Sequence, residues 1–170
     1  LGFRYRQNKW KLSISLFQRD AKNYIDYVLL LGDDRWQATN IDQILSQGGE
    51  LDVVLNSNPH KFSVGYAYLN DDVDGISFAL SRYAINSRKH HLSTRWILNW
   101  SSSVTSSLSY RYAEQDSGYH YNVVDANFAY AKGRIKLSLS AHNILNADYT
   151  EQNLVPMPKG HALLSLQYQL

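Results

Sequence analysis

Residues 133–170 read G-R-I-K-L-S-L-S-A-H-N-I-L-N-A-D-Y-T-E-Q-N-L-V-P-M-P-K-G-H-A-L-L-S-L-Q-Y-Q-L. Ile135, Leu137, Leu139 and Ala141 alternate with Lys136, Ser138, Ser140 and His142. After a polar loop, Ala162, Leu164, Leu166, Tyr168 and Leu170 alternate with Leu163, Ser165, Gln167 and Gln169. Successive side chains of a strand point to opposite faces. Each run therefore predicts a strand with one apolar face and one mostly polar face. The loop between them carries Asn146, Asp148, Tyr149, Pro156 and Pro158.

The same alternation runs upstream to the first residue. Leu1, Phe3 and Tyr5 oppose Gly2, Arg4 and Arg6, and Trp10, Leu12, Ile14 and Leu16 oppose Lys11, Ser13, Ser15 and Phe17. Residues 23–31 are apolar on both faces and predict an extension of this strand beyond a bulge, ended by Gly32-Asp33-Asp34. Further strands are expected at 47–56, 62–69, 91–100, 107–112 and 123–130. The total is about nine, with no amphipathic helix, in the dyad pattern of a membrane barrel. The connections sort by length. They are short at 7–9, 56–60, 101–105 and 132–134, and long at 32–40, 70–89, 115–121 and 144–160. Short turns on one side and long loops on the other characterise outer-membrane barrels.

Composition agrees with a chain that crosses a bilayer by strands. The longest apolar run, 27–31, is far below the roughly 20 residues of a spanning helix, whereas a spanning strand needs about 9–11. A mean hydropathy of −0.40 is compatible with strands that show lipid only half their side chains. The 13 tyrosines and 4 tryptophans suit a membrane interface, where one end of the ring is wet. Trp100, Tyr112, Tyr130 and Tyr168 fall toward strand ends of the apolar parity. The other parity carries Arg4, Arg6, Lys11, Arg95, Arg111, Asp125, Lys136 and His142, as a wet lumen requires. A net charge of +2 without a basic patch gives no reason to expect nucleic acid as a partner. The absence of cysteine excludes disulfides and thiolate chemistry. A soluble, carbohydrate-binding β-sandwich is the alternative fold.

An odd strand count suits a portion of a larger barrel, because bacterial barrels normally have an even number and unpaired edges are not tolerated in lipid. The chain opens at Leu1 in mid-pattern, which fits that expectation.

The stretch Ala141-His142-Asn143-Ile144-Leu145-Asn146-Ala147-Asp148-Tyr149, followed by Val155-Pro156-Met157-Pro158-Lys159-Gly160 and a last alternating strand, resembles the C-terminal end of TonB-dependent outer-membrane receptors. That family shows an Asn-Leu-Phe-Asn/Asp element, a tyrosine a few residues on, and Pro-x-Pro-Gly-Arg before its final strand. Asn40-Ile41 with Gly49-Glu50-Leu51 is similar to the family's Asn-Val…Gly-x-Glu-Leu segment, and Ser81-Arg82-Tyr83 with His90-His91-Leu92 to the stretch before a late strand. Lys159-Gly160 departs from the usual Gly-Arg, and Leu170 stands where a terminal aromatic is usual.

The resemblance implies an all-β, antiparallel transmembrane β-barrel of 22 strands, of which residues 1–170 are about the last nine. The plug domain, the earlier strands and the energy-coupling box lie elsewhere. It implies a Gram-negative outer-membrane receptor for TonB-coupled uptake of a scarce ligand, most often a ferric siderophore. The implied partners are outer-membrane lipid, the TonB complex, the iron chelate and the barrel-assembly machinery. No cofactor and no catalytic or metal site is expected. A passive porin and an outer-membrane hydrolase barrel are the alternatives within the architecture.

Individual residues fit this picture. His90 and His91 are adjacent and face opposite ways, so they cannot chelate one metal together. His142 shares its parity with Ser138 and Ser140, but no acid is visibly placed to orient it. Asp71-Asp72-x-Asp74-Gly75 has part of a calcium-loop pattern but not its twelfth-position glutamate, and reads as an extracellular loop. Ligand contacts are expected from Arg82, Tyr83 and Arg88, since cationic and aromatic groups suit an anionic aromatic chelate. Gly49-Glu50 marks a bulge or close backbone approach. Pro156 and Pro158 keep the last loop from pairing as a strand.

Overall fold

The computed structural model describes residues 1–74, 78–81, 88–151 and 155–169, and its regular elements are all strands. They are β1 (Gly2–Gln7), β2 (Trp10–Leu30), β3 (Gln37–Ser57), β4 (His60–Asp74), β5 (Phe78–Ser81), β6 (Arg88–Asn99), β7 (Val104–Gln115), β8 (His120–Lys132), β9 (Ile135–His142) and β10 (His161–Tyr168). One antiparallel sheet runs β1-β2-β3-β4-β6-β7-β8-β9-β10, each strand beside its neighbour in that path, and β5 pairs with β2 off the path. The nine strands on the path are those the alternation predicts. The short β5 is additional, and its pairing of Ser81 with Val28 and Leu80 with Leu29 carries no sequence periodicity that would reveal it. The sheet is open, with β1 and β10 at its edges.

Register sorts the side chains into two continuous faces. On one, Gln7, Trp10, Leu55, Phe62, Trp96 and Leu108 lie in a row from β1 to β7, and Ala126, Ala141 and Ala162 continue it to β10. A parallel row holds Phe3, Ile14, Leu51, Tyr66, Leu92 and Tyr112. On the opposite face one row reads Arg4, Ser13, Asp52, Gly65, Ser93, Arg111 and Val123. The next reads Arg6, Lys11, Val54, Ser63, Arg95 and Ser109. The apolar face stays bare: Leu164 and Leu166 are each 72% exposed. Water would not tolerate so much contiguous apolar surface, and lipid does. Expressed alone in buffer, residues 1–170 are therefore expected to aggregate through this face and the two open edges. A detergent-free, cooperatively unfolding monomer in sedimentation and melting experiments would contradict the lipid-facing assignment.

The tight turns lie at one end. Asn8, at φ 49°, and Lys9 close β1–β2, and Gly133, at φ 58°, and Arg134 close β8–β9. Asn and Gly are the residues that adopt such left-handed conformations most readily. At the other end β2 and β3, 21 residues each, pair without a slip from Trp10↔Leu55 to Val28↔Gln37. The loop expected at 32–40 is thus shorter, and the one expected at 70–89 begins only after Asp74. Ladder hydrogen bonds join backbone to backbone, so pairing continues where the alternation of side chains stops. The expected bulge near residue 23 is instead a local kink: Asn23 has φ 54° while Lys22 still faces Gln43 and Tyr24 still faces Ile41. At Gly48 a Cβ would come within 2.5 Å of the Phe17 ring and also strike the Tyr68 carbonyl oxygen. Gly49 keeps unbroken register with Leu16 and Tyr68, and a Cβ there would lie 3.0 Å from Leu16 Cδ2, so close approach and not a bulge explains the expected position too.

Candidate functional site

The loop between β9 and β10 does not stand out from the sheet. It folds back over the polar face of β6–β8 and is held there at two levels. At its base, Asn143 is 2% exposed and sits at φ 48°. Its Nδ2 donates to the carbonyls of Ala147 (2.9 Å) and Pro158 (3.1 Å), and its Oδ1 accepts from Ala147 N–H (2.8 Å). Three of the four side-chain hydrogen bonds open to an asparagine amide are made. Asn146, at φ 52°, accepts from Gly160 N–H at 3.1 Å, where a Cβ on Gly160 would approach the Asn143 carbonyl oxygen to 2.8 Å. The Asn-x-x-Asn spacing thus ties the start of the loop to its end.

Beyond this knot, Tyr149 packs on Tyr121 with ring centroids 4.6 Å apart, and both are 5% exposed. With Val123 and Ala113 they form a small apolar core on the otherwise polar face, flanked by Ala147 and Met157. Met157 N–H donates to the Tyr149 carbonyl, and Thr150 bridges to Pro156, so Pro156 takes part in one isolated pairing rather than none.

The charged groups gather beside that core. Arg111 lies on β7 and donates from one terminal nitrogen to Glu151 Oε1 at 2.8 Å, while the other stands 3.8 Å from Asp125 Oδ2. Arg88, at the start of β6, reaches Glu151 Oε2 at 3.9 Å. These side chains are 20–35% exposed, so each pair contributes only about 0–1 kcal/mol. Asp125 Oδ1 accepts the Asn143 backbone N–H at 2.9 Å and lies 3.7 Å from His142 Nδ1. The His142 ring stacks on His161, its partner across the β9–β10 ladder, at 5.1 Å.

Arg88, one of the three residues expected to contact a ligand, is paired with Glu151. Arg82 and Tyr83 lie outside the described residues, as does Gly75. Asp71 and Asp72 belong to β4, opposite Ser46 and Leu45, and not to a loop. Consecutive positions of a strand face opposite ways, which is not the wrap of a calcium loop. His90 hydrogen-bonds Tyr66 on the apolar face, and His91 lies in register with Ala67 and Ala113 on the other. Among the described residues no three metal-ligating side chains converge.

His142 does have an acid beside it, which the sequence pattern leaves unmarked. Counting back from the two-residue turn at Gly133-Arg134 would find it, because Lys132 faces Ile135 and Asn127 faces Ser140, so Asp125 falls beside His142. Ser140 Oγ accepts from Asn127 Nδ2 at 2.6 Å, and among the described residues no hydrogen bond joins His142 to Ser138 or Ser140.

A family model described as TonB dependent receptor-like, beta-barrel matches residues 1–146. Among solved structures the chain is similar to a copper transporter, OprC, at 18% identity and a TM-score of 0.76, covering 98% of this chain and 30% of that one. It is similar to the siderophore receptor PirA from Acinetobacter baumannii at 13% identity and a TM-score of 0.75, covering 98% and 30%. The FrpB iron transporter from Neisseria meningitidis matches at 16% identity and a TM-score of 0.72, covering 98% and 29%. The chain thus spans about 30% of the length of these proteins. No curated protein matches it in sequence.

Proposed function

This chain belongs to the TonB-dependent receptor β-barrels, receptors rather than enzymes, and from that membership we propose that it forms the closing part of a Gram-negative outer-membrane receptor. The complete protein takes up a scarce ligand from outside, drawing on the TonB complex, and the ligand is an iron chelate of the siderophore type. The observation that carries this reading is the two-faced sheet. Its bare apolar face, with Trp10, Trp96 and Trp100 toward the tight-turn end, suits lipid and its interface. Its charged face suits a wet lumen around an enclosed plug domain. A barrel of 22 strands is the size of plugged outer-membrane transporters, and this chain supplies the strands that meet the first one. The plug, the earlier strands and the energy-coupling box belong to the rest of that protein.

Siderophore chemistry is supported by cationic and aromatic groups at the long-loop end: Arg88 and Arg111, with the exposed Tyr119 at the same end of β8. Arg82 and Tyr83 are proposed to contribute further contacts. Uptake of radiolabelled ferric siderophore by cells carrying the full-length gene tests the reading. Uptake is expected to fall to background on deletion of TonB or collapse of the proton gradient. Ligand entry that persists unchanged after both treatments would identify a passive porin instead.

A further inference from the structure

Glu151 lies between Arg88 and Arg111, one carboxylate oxygen toward each. Among the described residues Arg88 has no other acid within ion-pair distance, and Arg111 has only Asp125, at 3.8 Å. Two guanidinium groups converging on one carboxylate are the arrangement that recognises an oxyanion. The carboxylate now there is delivered by the chain itself, from the β9–β10 loop just after Thr150.

The way that loop is held, with its backbone tied on both sides of Glu151 by the Thr150–Pro156 bridge, lets the Glu151 side chain be withdrawn without unfolding the loop. The base is tied through Asn143 and Asn146, and Tyr149 is buried against Tyr121. Glu151 lies beyond both anchors, and its ion pairs are partly solvated. Its side chain can swing out by rotation about its own bonds while base and tyrosine stay in place. With Glu151 in place, the two arginines are balanced by Glu151 and Asp125; with it withdrawn, the site carries a net positive charge.

We propose that Arg88 and Arg111 form a binding site for a small carboxylate-bearing anion entering from the long-loop end, and that Glu151 is its built-in competitor. The inference rests on the receptor reading for the direction of entry, but its test does not involve uptake. The purified full-length receptor in detergent is titrated with citrate by calorimetry, with the uncharged trimethyl ester of citrate as control. Correct folding of each variant is checked by heat-modifiable gel migration.

Glu151→Gln is expected to tighten citrate binding at least fivefold by removing the competitor. Arg111→Gln and Arg88→Gln are each expected to weaken it at least fivefold. Binding should fall as salt rises, and the ester should not bind. Citrate affinity unchanged or weaker in Glu151→Gln would overturn the competitor role. Unchanged affinity in Arg88→Gln, the variant at the strand end and least disruptive of folding, would overturn the site, as would no citrate binding in any variant. Failure here with TonB-dependent uptake intact removes only the anion site; the reverse result removes only the receptor reading.

Discussion

Replacing Leu139 by arginine is expected to destabilise the full barrel in lipid by about 2–4 kcal/mol, the cost of a cationic side chain facing lipid near the bilayer midplane. Leu139 lies in the row Phe128, Leu139, Leu164, about halfway along β9, and is 49% exposed. Its neighbour in the chain, Ser138, lies on the other face, in register with Ala129 and Ser165. Ser138→Arg should therefore cost less than about 1 kcal/mol, since the group remains in water. Reversible denaturant unfolding in liposomes measures both. Equal costs for the two substitutions would sink the assignment of faces, and with it the barrel.

Asn143→Ala should be the second severe change. It leaves the Ala147 N–H and the Ala147 and Pro158 carbonyls without partners and forces a β-carbon residue to hold φ 48° without the side-chain bonds that favour it there. At about 1 kcal/mol for each lost hydrogen bond and 1–2 kcal/mol for the left-handed backbone, the loss is roughly 4 kcal/mol. Most of it falls on the loop, not the sheet. Limited proteolysis of the receptor should accordingly cleave within residues 143–160 in the variant and spare the parent. Asn143→Asp keeps the acceptor and loses both donors, so it should lie between. Identical digestion of all three would show that Asn143 does not hold the loop.

How much of this was legible in the sequence depends on what each feature leaves in the order of residues. A strand that faces lipid on one side and water on the other records both in alternating letters. The run from Ile135 to His142 accordingly shows its strand and its faces at once, as does the run from Trp10 to Leu16. Above the lipid that contrast disappears. In the upper halves of β2 and β3 the lipid-against-water contrast is gone, since Asp26, Val28, Ile41 and Ile44 are buried while Ile25 is 71% exposed, so Lys22-Asn23-Tyr24 and Asn40-Ile41-Asp42 show no period, although the ladder continues through them. The Asn143–Asn146 element was visible as a resemblance, but its work, binding the first residues of a loop to its last, needs coordinates. Asp125 beside His142 needed only register and could have been counted from the Gly133-Arg134 turn. Glu151 could not, because a loop that folds back through Thr150 and Pro156 has no period from which to predict where its side chains land.

The length of the β2–β3 hairpin carries a consequence for the living cell. Crossing the hydrocarbon takes about 9–11 of the 21 residues in each strand. Roughly ten remain, a mast of about 35 Å at 3.4 Å per residue, tipped by Gly32-Asp33-Asp34. In the receptor proposed above, that tip would rise well beyond the lipid headgroups. Among the described hairpins it is the longest, so in the proposed receptor it would be the one that a large particle arriving from outside, such as an antibody, meets first.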